Sequence, residues 1–283
     1  MMDSAKFMNR SGEFRLKGLD TMKAIKFFSL AVLLASAVLF GCCRKERGRL
    51  LAFAHRGASS LAPENTLSAV KKAVELGAEG CEIDVRLTKD GQVVLLHDAR
   101  LERTVGVTGA IWDYTLGDLA GFEAGSWFGE QFKGEPIPTL TEVIRAVKGK
   151  ILLNIEIKVS REETALAQKV VEIIHREKIR KKCLVTSFDR TTVEAVKAID
   201  PRVMTGFIFG QNYPQDVFEG NWDVLSCNSK VVDDDFVARA RERKKKIHVW
   251  TVDDKEEMKR QIGLGVDAII TNRPQDLILL VRK

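Results

Sequence analysis

Two of the four histidines stand where a short apolar run gives way to charge. His55 follows Leu51-Ala52-Phe53-Ala54 and precedes Arg56-Gly57, and His97 follows Val93-Val94-Leu95-Leu96 and precedes Asp98. Imidazole titrates near neutrality, so such a pair can supply the base and the acid needed to displace an alkoxide from phosphorus. Acidic residues recur in the same kind of place. Glu82 and Asp84 alternate with Cys81, Ile83 and Val85, which in a strand sets both carboxylates on one face. Glu156 and Lys158 alternate in the same way with Ile155 and Ile157. Three carboxylates gathered in one cleft are costly unless something positive sits among them. A hard divalent cation, Ca²⁺ or Mg²⁺, takes oxygen ligands and leaves positions for water or phosphate. Taken alone, the pattern reads sooner as ion pairs of these acids with Arg56, Arg86 and Lys158, and the two histidines at strand ends shift that weighting. His175, within a helical pattern, and His248, within a strand pattern, read as structural, although His248 shares a face with Trp250.

Residues so far apart in sequence need a scaffold that collects strand ends. Apolar, β-branched runs are expected as strands at Leu51–His55, Gly80–Leu87, Ile151–Ile157, Cys183–Ser187, Val203–Phe209, Val224–Cys227, Ile247–Val252 and Ala268–Thr271. Helical patterns fall between them, at Thr66–Leu76, Glu162–Glu177, Thr191–Ile199, Phe236–Arg243 and Lys255–Ile262. Thr139 with Glu142, Ser160 with Glu163 and Asp253 with Glu256 fit or approximate capping boxes. Eight strands alternating with helices over a mature chain of this length predict a single (β/α)₈ TIM barrel spanning 51–283, with the polar strand ends converging at its C-terminal mouth. One stretch breaks the alternation. After a short strand at Val93–His97, residues 98–138 are rich in Gly and turn formers, and a loop of that length is expected as a functional excursion beside the mouth.

The 283 residues carry 45 Lys/Arg and 39 Asp/Glu. Residues 1–42 hold six of the basic and three of the acidic residues, which leaves 39 against 36 and a net of +3 for the rest. That balance does not call for nucleic acid, and the basic run Arg241–Lys246, interrupted by Glu242, reads as a solvated helix end. Cys81, Cys183 and Cys227 lack metal-ligand spacing and read as small buried side chains. The first 42 residues read as a leader whose true start is Met22: Lys23 and Lys26, then an apolar run from Phe27 to Phe40, then small residues. That run is too short for a helix of the roughly 20 residues that cross a bilayer. Leu39-Phe40-Gly41-Cys42 resembles the lipobox of bacterial lipoproteins, with Phe40 bulkier than the residue usual at its position. Lipidation at Cys42 and an extracytoplasmic, membrane-anchored location are therefore expected, with a conventionally cleaved signal or an uncleaved anchor as alternatives. A linker at 43–50 would join leader and barrel.

From about Leu51 onward the chain resembles the glycerophosphodiester phosphodiesterases. The resemblance rests on His55-Arg56-Gly57, Pro63-Glu64-Asn65-Thr66, Glu82-Ile83-Asp84-Val85, His97-Asp98, Gly125-Ser126-Trp127-Phe128, Ile137-Pro138-Thr139-Leu140, Glu156-Ile157-Lys158, Ser187-Phe188 and Trp250-Thr251-Val252. It implies that Glu82, Asp84 and Glu156 bind the metal, that His55 and His97 are the acid and base, and that Arg56 and Lys158 hold the phosphate. It also implies Glu64 and Asn65 close to the metal and Trp250 on the glycerol side. The expected reaction is metal-dependent hydrolysis of glycerophosphodiesters to glycerol 3-phosphate and an alcohol. A lysophospholipase D or cyclising lyase on the same site is the alternative enzyme. A lipoprotein that binds phosphodiesters without cleaving them is the alternative of another class.

Overall fold

The computed structural model describes residues 49–159 and 164–282. Eight parallel strands form a closed ring: β1 (Leu51–Ala54), β2 (Gly80–Leu87), β4 (Leu152–Ile157), β5 (Cys183–Ser187), β6 (Met204–Phe209), β7 (Val224–Asn228), β8 (Lys246–Trp250) and β9 (Ala268–Thr271). Closure comes from β1, which pairs in parallel with both β2 and β9. A ninth, short strand, β3 (Val93–Leu95), runs back antiparallel along β2. This is the expected (β/α)₈ barrel. β2, β5 and β9 have the bounds read from the sequence and the other strands differ by a residue or two; β3 stops at Leu95 and β8 at Trp250, each two residues short of the reading.

Helices α1 (Leu67–Leu76), α4 (Leu140–Val147), α5 (Thr164–Glu177), α6 (Arg190–Ile199), α7 (Asp234–Glu242), α8 (Lys255–Leu264) and α9 (Pro274–Val281) follow the strands; α9 is absent from the sequence reading. In α4 the buried residues are Leu140, Val143, Ile144 and Val147, the stripe that one helix face turns to a core. Thr139 and Glu142 close a capping box at its start. Ser160 and Glu163 lie outside the described residues, as do the leader, its start at Met22 and Cys42. Asp253 does not cap α8: Asp254 accepts from Glu257 N instead, and Asp253 is engaged with β9, as described below.

Barrel strands must be buried on both faces, by helices outside and by one another inside. Every residue of β2 is buried, and Cys81, Ile83 and Val85 pack into the helix-covered core. That leaves Glu82 and Asp84 to the interior, and the register carries the acids to one level by pairing Asp84 with Glu156 across β2 and β4.

The excursion holds more order than its Gly content suggests. It contains α2 (Glu102–Val105) and α3 (Leu116–Leu119), and it buries Leu101, Ile111, Leu119, Ala124 and Ile137 against Val94 and Leu96 in a small core of its own. No helix among the described residues is long and apolar enough to cross a membrane.

Candidate active site

The turn after β1 begins the site. Arg56 and Gly57 both take the left-handed backbone conformation, at φ 55° and 85°. Glycine is required at 57, where a Cβ would come within 2.5 Å of the Ala69 Cβ. The bend is held by Glu82, whose Oε2 accepts from Arg56 N at 2.9 Å. Asn65, left-handed at φ 56°, clasps the second acid in both directions: its Nδ2 donates to Asp84 Oδ2 at 2.8 Å and its Oδ1 accepts from Asp84 N at 3.0 Å.

Glu82, Asp84 and Glu156 are each more than nine-tenths buried, and one oxygen from each lies within 4.8 Å of the others. Lys158 Nζ stands 2.6 Å from Glu156 Oε1 and 3.2 Å from Asp84 Oδ1, while Arg56 Nε is 3.5 Å from Asp84 Oδ2. The ion-pair reading is thus met in part, but it does not complete the trio. Glu82 Oε1, Asp84 Oδ1 and Glu156 Oε1 have no hydrogen-bond donor in satisfactory geometry. Arg86 is engaged elsewhere, with Nε donating to the His97 carbonyl at 3.0 Å. Burial, with Asp84 and Glu156 beside it, pushes the Glu82 carboxyl well above the usual range, and burial raises Glu156 to about 7. Burial acts on Asp84 in the same sense, yet Lys158 and Arg56 outweigh it and hold Asp84 low. A buried Glu82 oxygen with no donor, in a set made only of hard oxygen atoms, fits a divalent cation.

The two histidines are anchored differently. His55 Nδ1 meets Asn272 Oδ1 at 2.7 Å, across a sequence separation of 217 residues that barrel closure removes. Asn272 is itself fixed by Asp253, whose Oδ2 accepts from Asn272 Nδ2 at 2.6 Å and whose Oδ1 accepts from Asn272 N and Thr271 Oγ1, each at 2.8 Å. With its NH₂ spent on Asp253, the amide turns its oxygen to His55. The ring therefore carries its proton on Nδ1 and leaves the Nε2 lone pair free, 3.8 Å from Glu82 Oε2. His97 Nδ1 instead meets the carboxylate of Asp98 at 2.7 Å. Arg103 binds Asp98 and also Glu64, which in turn accepts from Arg56 NH1 at 2.9 Å. Burial, reinforced by Arg56, lowers the His55 pKa; burial also lowers that of His97, with Asp84 and Asp98 acting against it.

His55, Arg56, Glu82, His97, Glu156, Lys158 and Trp250 line one cavity of about 140 Å³. Its rim is aromatic, with Trp250 packed edge-on to the half-exposed Phe188 at 5.5 Å. Asp84 and Asn65 lie behind the lining, and Glu64 reaches the site through Arg56 and, by way of Arg103 and Asp98, through His97. His248 is buried against Phe53 at 5.5 Å and does not line the cavity. His175 sits on α5, paired with Asp200. Cys81, Cys183 and Cys227 are buried and free of disulfides. The sequence reading did not single out Asn272 and Arg103, and it took Asp253 for a helix cap. No spacing signal marks them, because their partners arrive through tertiary pairing.

The sequence model of the glycerophosphoryl diester phosphodiesterase family matches residues 55–276, most of the chain. The chain belongs to that family. A glycerophosphodiester phosphodiesterase of Caldanaerobacter subterraneus is 37% identical over 83% of this chain and 99% of its own length. Among solved structures, a phosphodiesterase of Oleispira antarctica, in complex with its product sn-glycerol-3-phosphate, superposes with a TM-score of 0.78 at 29% identity, covering 82% of this chain and 97% of that one. A glycerophosphodiester phosphodiesterase of Thermotoga maritima gives 0.68 at 30% identity, covering 82% and 98%. Like these relatives, the chain is an enzyme of the phosphodiester hydrolase class.

Proposed function

We propose that the enzyme hydrolyses glycerophosphodiesters to glycerol 3-phosphate and a free alcohol, using a divalent cation, Ca²⁺ or Mg²⁺, held by Glu82, Asp84 and Glu156. The observation that carries the reading is one cavity at which Glu82, Glu156, two cations and two differently anchored histidines meet, with Asp84 directly behind the two glutamates. The product in the Oleispira antarctica structure supports the glycerol 3-phosphate half of the substrate. A bound cation would supply electrostatic stabilisation to the phosphoryl oxygens.

The remaining work falls to the chain's own groups. Arg56 and Lys158 neutralise the phosphodiester and the charge that develops on it. His55, with its Nε2 lone pair exposed and a neutral amide behind it, takes the proton from the attacking oxygen. His97, backed by a carboxylate that favours the imidazolium, gives a proton to the departing alcohol oxygen. Trp250 and Phe188 offer an apolar wall to the carbon skeleton of glycerol. Glu64 and Asn65 act by holding Arg56 and Asp84. We further infer that the chain is lipidated at Cys42 and works at the outer side of a membrane, from the lipobox resemblance.

The test is glycerol 3-phosphate release from glycerophosphocholine before and after exhaustive chelation, with add-back of Ca²⁺ or Mg²⁺. Loss on chelation and return on add-back are expected. Full activity in metal-free protein would overturn the role of the trio, and a persistent cyclic phosphate would make the enzyme a lyase.

A further inference from the structure

The mouth occupies one end of the barrel, and the opposite end carries an unusual charge. Residues 49–283 have 36 Lys/Arg and 35 Asp/Glu, a net of +1. The segments that lead into the eight barrel strands (49–50, 77–79, 148–151, 177–182, 200–203, 219–223, 242–246 and 265–267) hold twelve of those cations against seven acids, a net of +5. The rest of this part of the chain is therefore net −4, so the charge is segregated.

Pairing sharpens the contrast. The acids of this end are largely committed within the fold: Glu79 to Arg49, Asp200 to Arg202, Asp223 to Lys197, Glu219 to Arg243 and Asp267 to Arg241. Exposed lysines stand beside them with no ion pair among the described residues. They are Lys148 and Lys150 ahead of β4, Lys178, Lys181 and Lys182 ahead of β5, and Lys244 and Lys246 at β8.

We propose that this strand N-terminal face docks on an anionic lipid surface, leaving the catalytic mouth turned away from it. Two features favour lipid over nucleic acid. First, β1 starts at this face, and the nine residues from Cys42, the lipid site proposed above on which this point rests, to Leu51 span at most about 30 Å. Second, no aromatic residue is interleaved among the lysines to stack on bases. Each lysine near an anionic surface strengthens partitioning about fivefold. Several weak, unpaired charges on one face give reversible docking that orients the barrel and fades with salt.

The test uses residues 49–283, a compact unit by itself and the span that the Caldanaerobacter relative matches over 99% of its own length. Co-sedimentation with phosphatidylglycerol-containing vesicles, and none with phosphatidylcholine alone, is expected. The triple variant K178Q/K181Q/K182Q should weaken binding about 100-fold. K89Q/K133Q/K230Q, on loops at the catalytic end, should bind as wild type, and vesicle-bound protein should still turn over soluble glycerophosphocholine. Equal binding to neutral vesicles, equal loss in the two triple variants, or tighter binding to duplex DNA than to anionic vesicles at the same salt would each overturn the proposal.

Discussion

Asp253→Asn is expected to slow turnover while leaving substrate binding nearly intact, although Asp253 touches neither histidine. The carboxylate accepts from Thr271 Oγ1, Asn272 N and Asn272 Nδ2. The last contact decides which end of the Asn272 amide faces His55 Nδ1. A flipped amide would set its oxygen against Asp253 and its NH₂ against the ring, forcing the proton to Nε2, where a base needs its lone pair. A hydrogen bond to a charged group contributes about 1.5–3 kcal/mol net, which biases the working orientation roughly 10- to 150-fold. With Asn at 253 the oxygen stays with Thr271 Oγ1 and Asn272 N, the new NH₂ takes the place of Oδ2, and the Asn272 oxygen turns toward it, so the bias is reversed. The expected outcome is a fall in kcat of about 10- to 100-fold with KM changed less than about threefold. Steady-state release of glycerol 3-phosphate measures the split, and ring ¹⁵N shifts of His55 report the tautomer directly. Asn272→Leu removes the acceptor itself and should cost a similar factor. The double variant should lose little more than either single one, since both act through one ring. Folded protein with unchanged kcat, or losses that multiply in the double variant, would refute the relay.

Three further outcomes follow from the site, the core and the leader. His97→Ala and His55→Ala should each lower turnover about 10²- to 10⁴-fold, and a nitrophenyl ester should restore the first variant but not the second; rescue of both, or of His55→Ala alone, would reverse or dissolve the acid and base roles. His248, buried with Nδ1 unpaired, has its pKa lowered to about 4, chiefly by burial. The unfolded chain therefore binds its proton first, so this contribution is complete above about pH 6.5 and is lost as pH falls toward 4, roughly 3 kcal/mol in all. Denaturant titrations of His248→Phe should lack that part of the slope, and an unchanged slope would show the ring is not held neutral. Mass spectrometry of the mature protein should find Cys42 as a lipid-bearing first residue, whereas an intact Met1 or Met22 would exclude processing there.

What could be read from the sequence follows from where each interaction is decided. Alternation along a strand fixes which side chains share a face, so Glu82 with Asp84, and Glu156 with Lys158, could be grouped from spacing alone. The level at which the two groups meet depends on the β2–β4 register, which only the fold supplies. Asp253 shows the limit most plainly. Followed by Asp254 and two glutamates, it has the local signature of an N-cap, and its neighbour one residue on takes that role. Its three donors belong to Thr271 and Asn272, which reach it because β9 runs alongside β8. The excursion misled in another way: Gly and turn residues hide the apolar positions, among them Leu101, Ile111 and Leu119, that gather only when the chain folds back on Val94 and Leu96.

The barrel also ties His55, Arg56 and the acidic trio into one mechanical unit. Arg56 and Asn65 are non-glycine residues in left-handed backbone, each at a cost of roughly 1–3 kcal/mol that the surroundings must offset. The offsetting contacts come from the trio: Glu82 accepts from Arg56 N, and Asp84 exchanges two hydrogen bonds with Asn65. His55 stands one residue before the strained turn, with its N bonded to the Thr271 carbonyl on one side and its ring to Asn272 on the other. Removing the Glu82 carboxylate would thus free the Arg56 backbone and shift the proposed base as well as remove a proposed cation ligand. Activity lost in such a variant therefore cannot be assigned to metal alone. Glu82→Gln, which keeps an acceptor for Arg56 N while lowering the charge offered to a cation, separates the two effects by chemistry rather than by position.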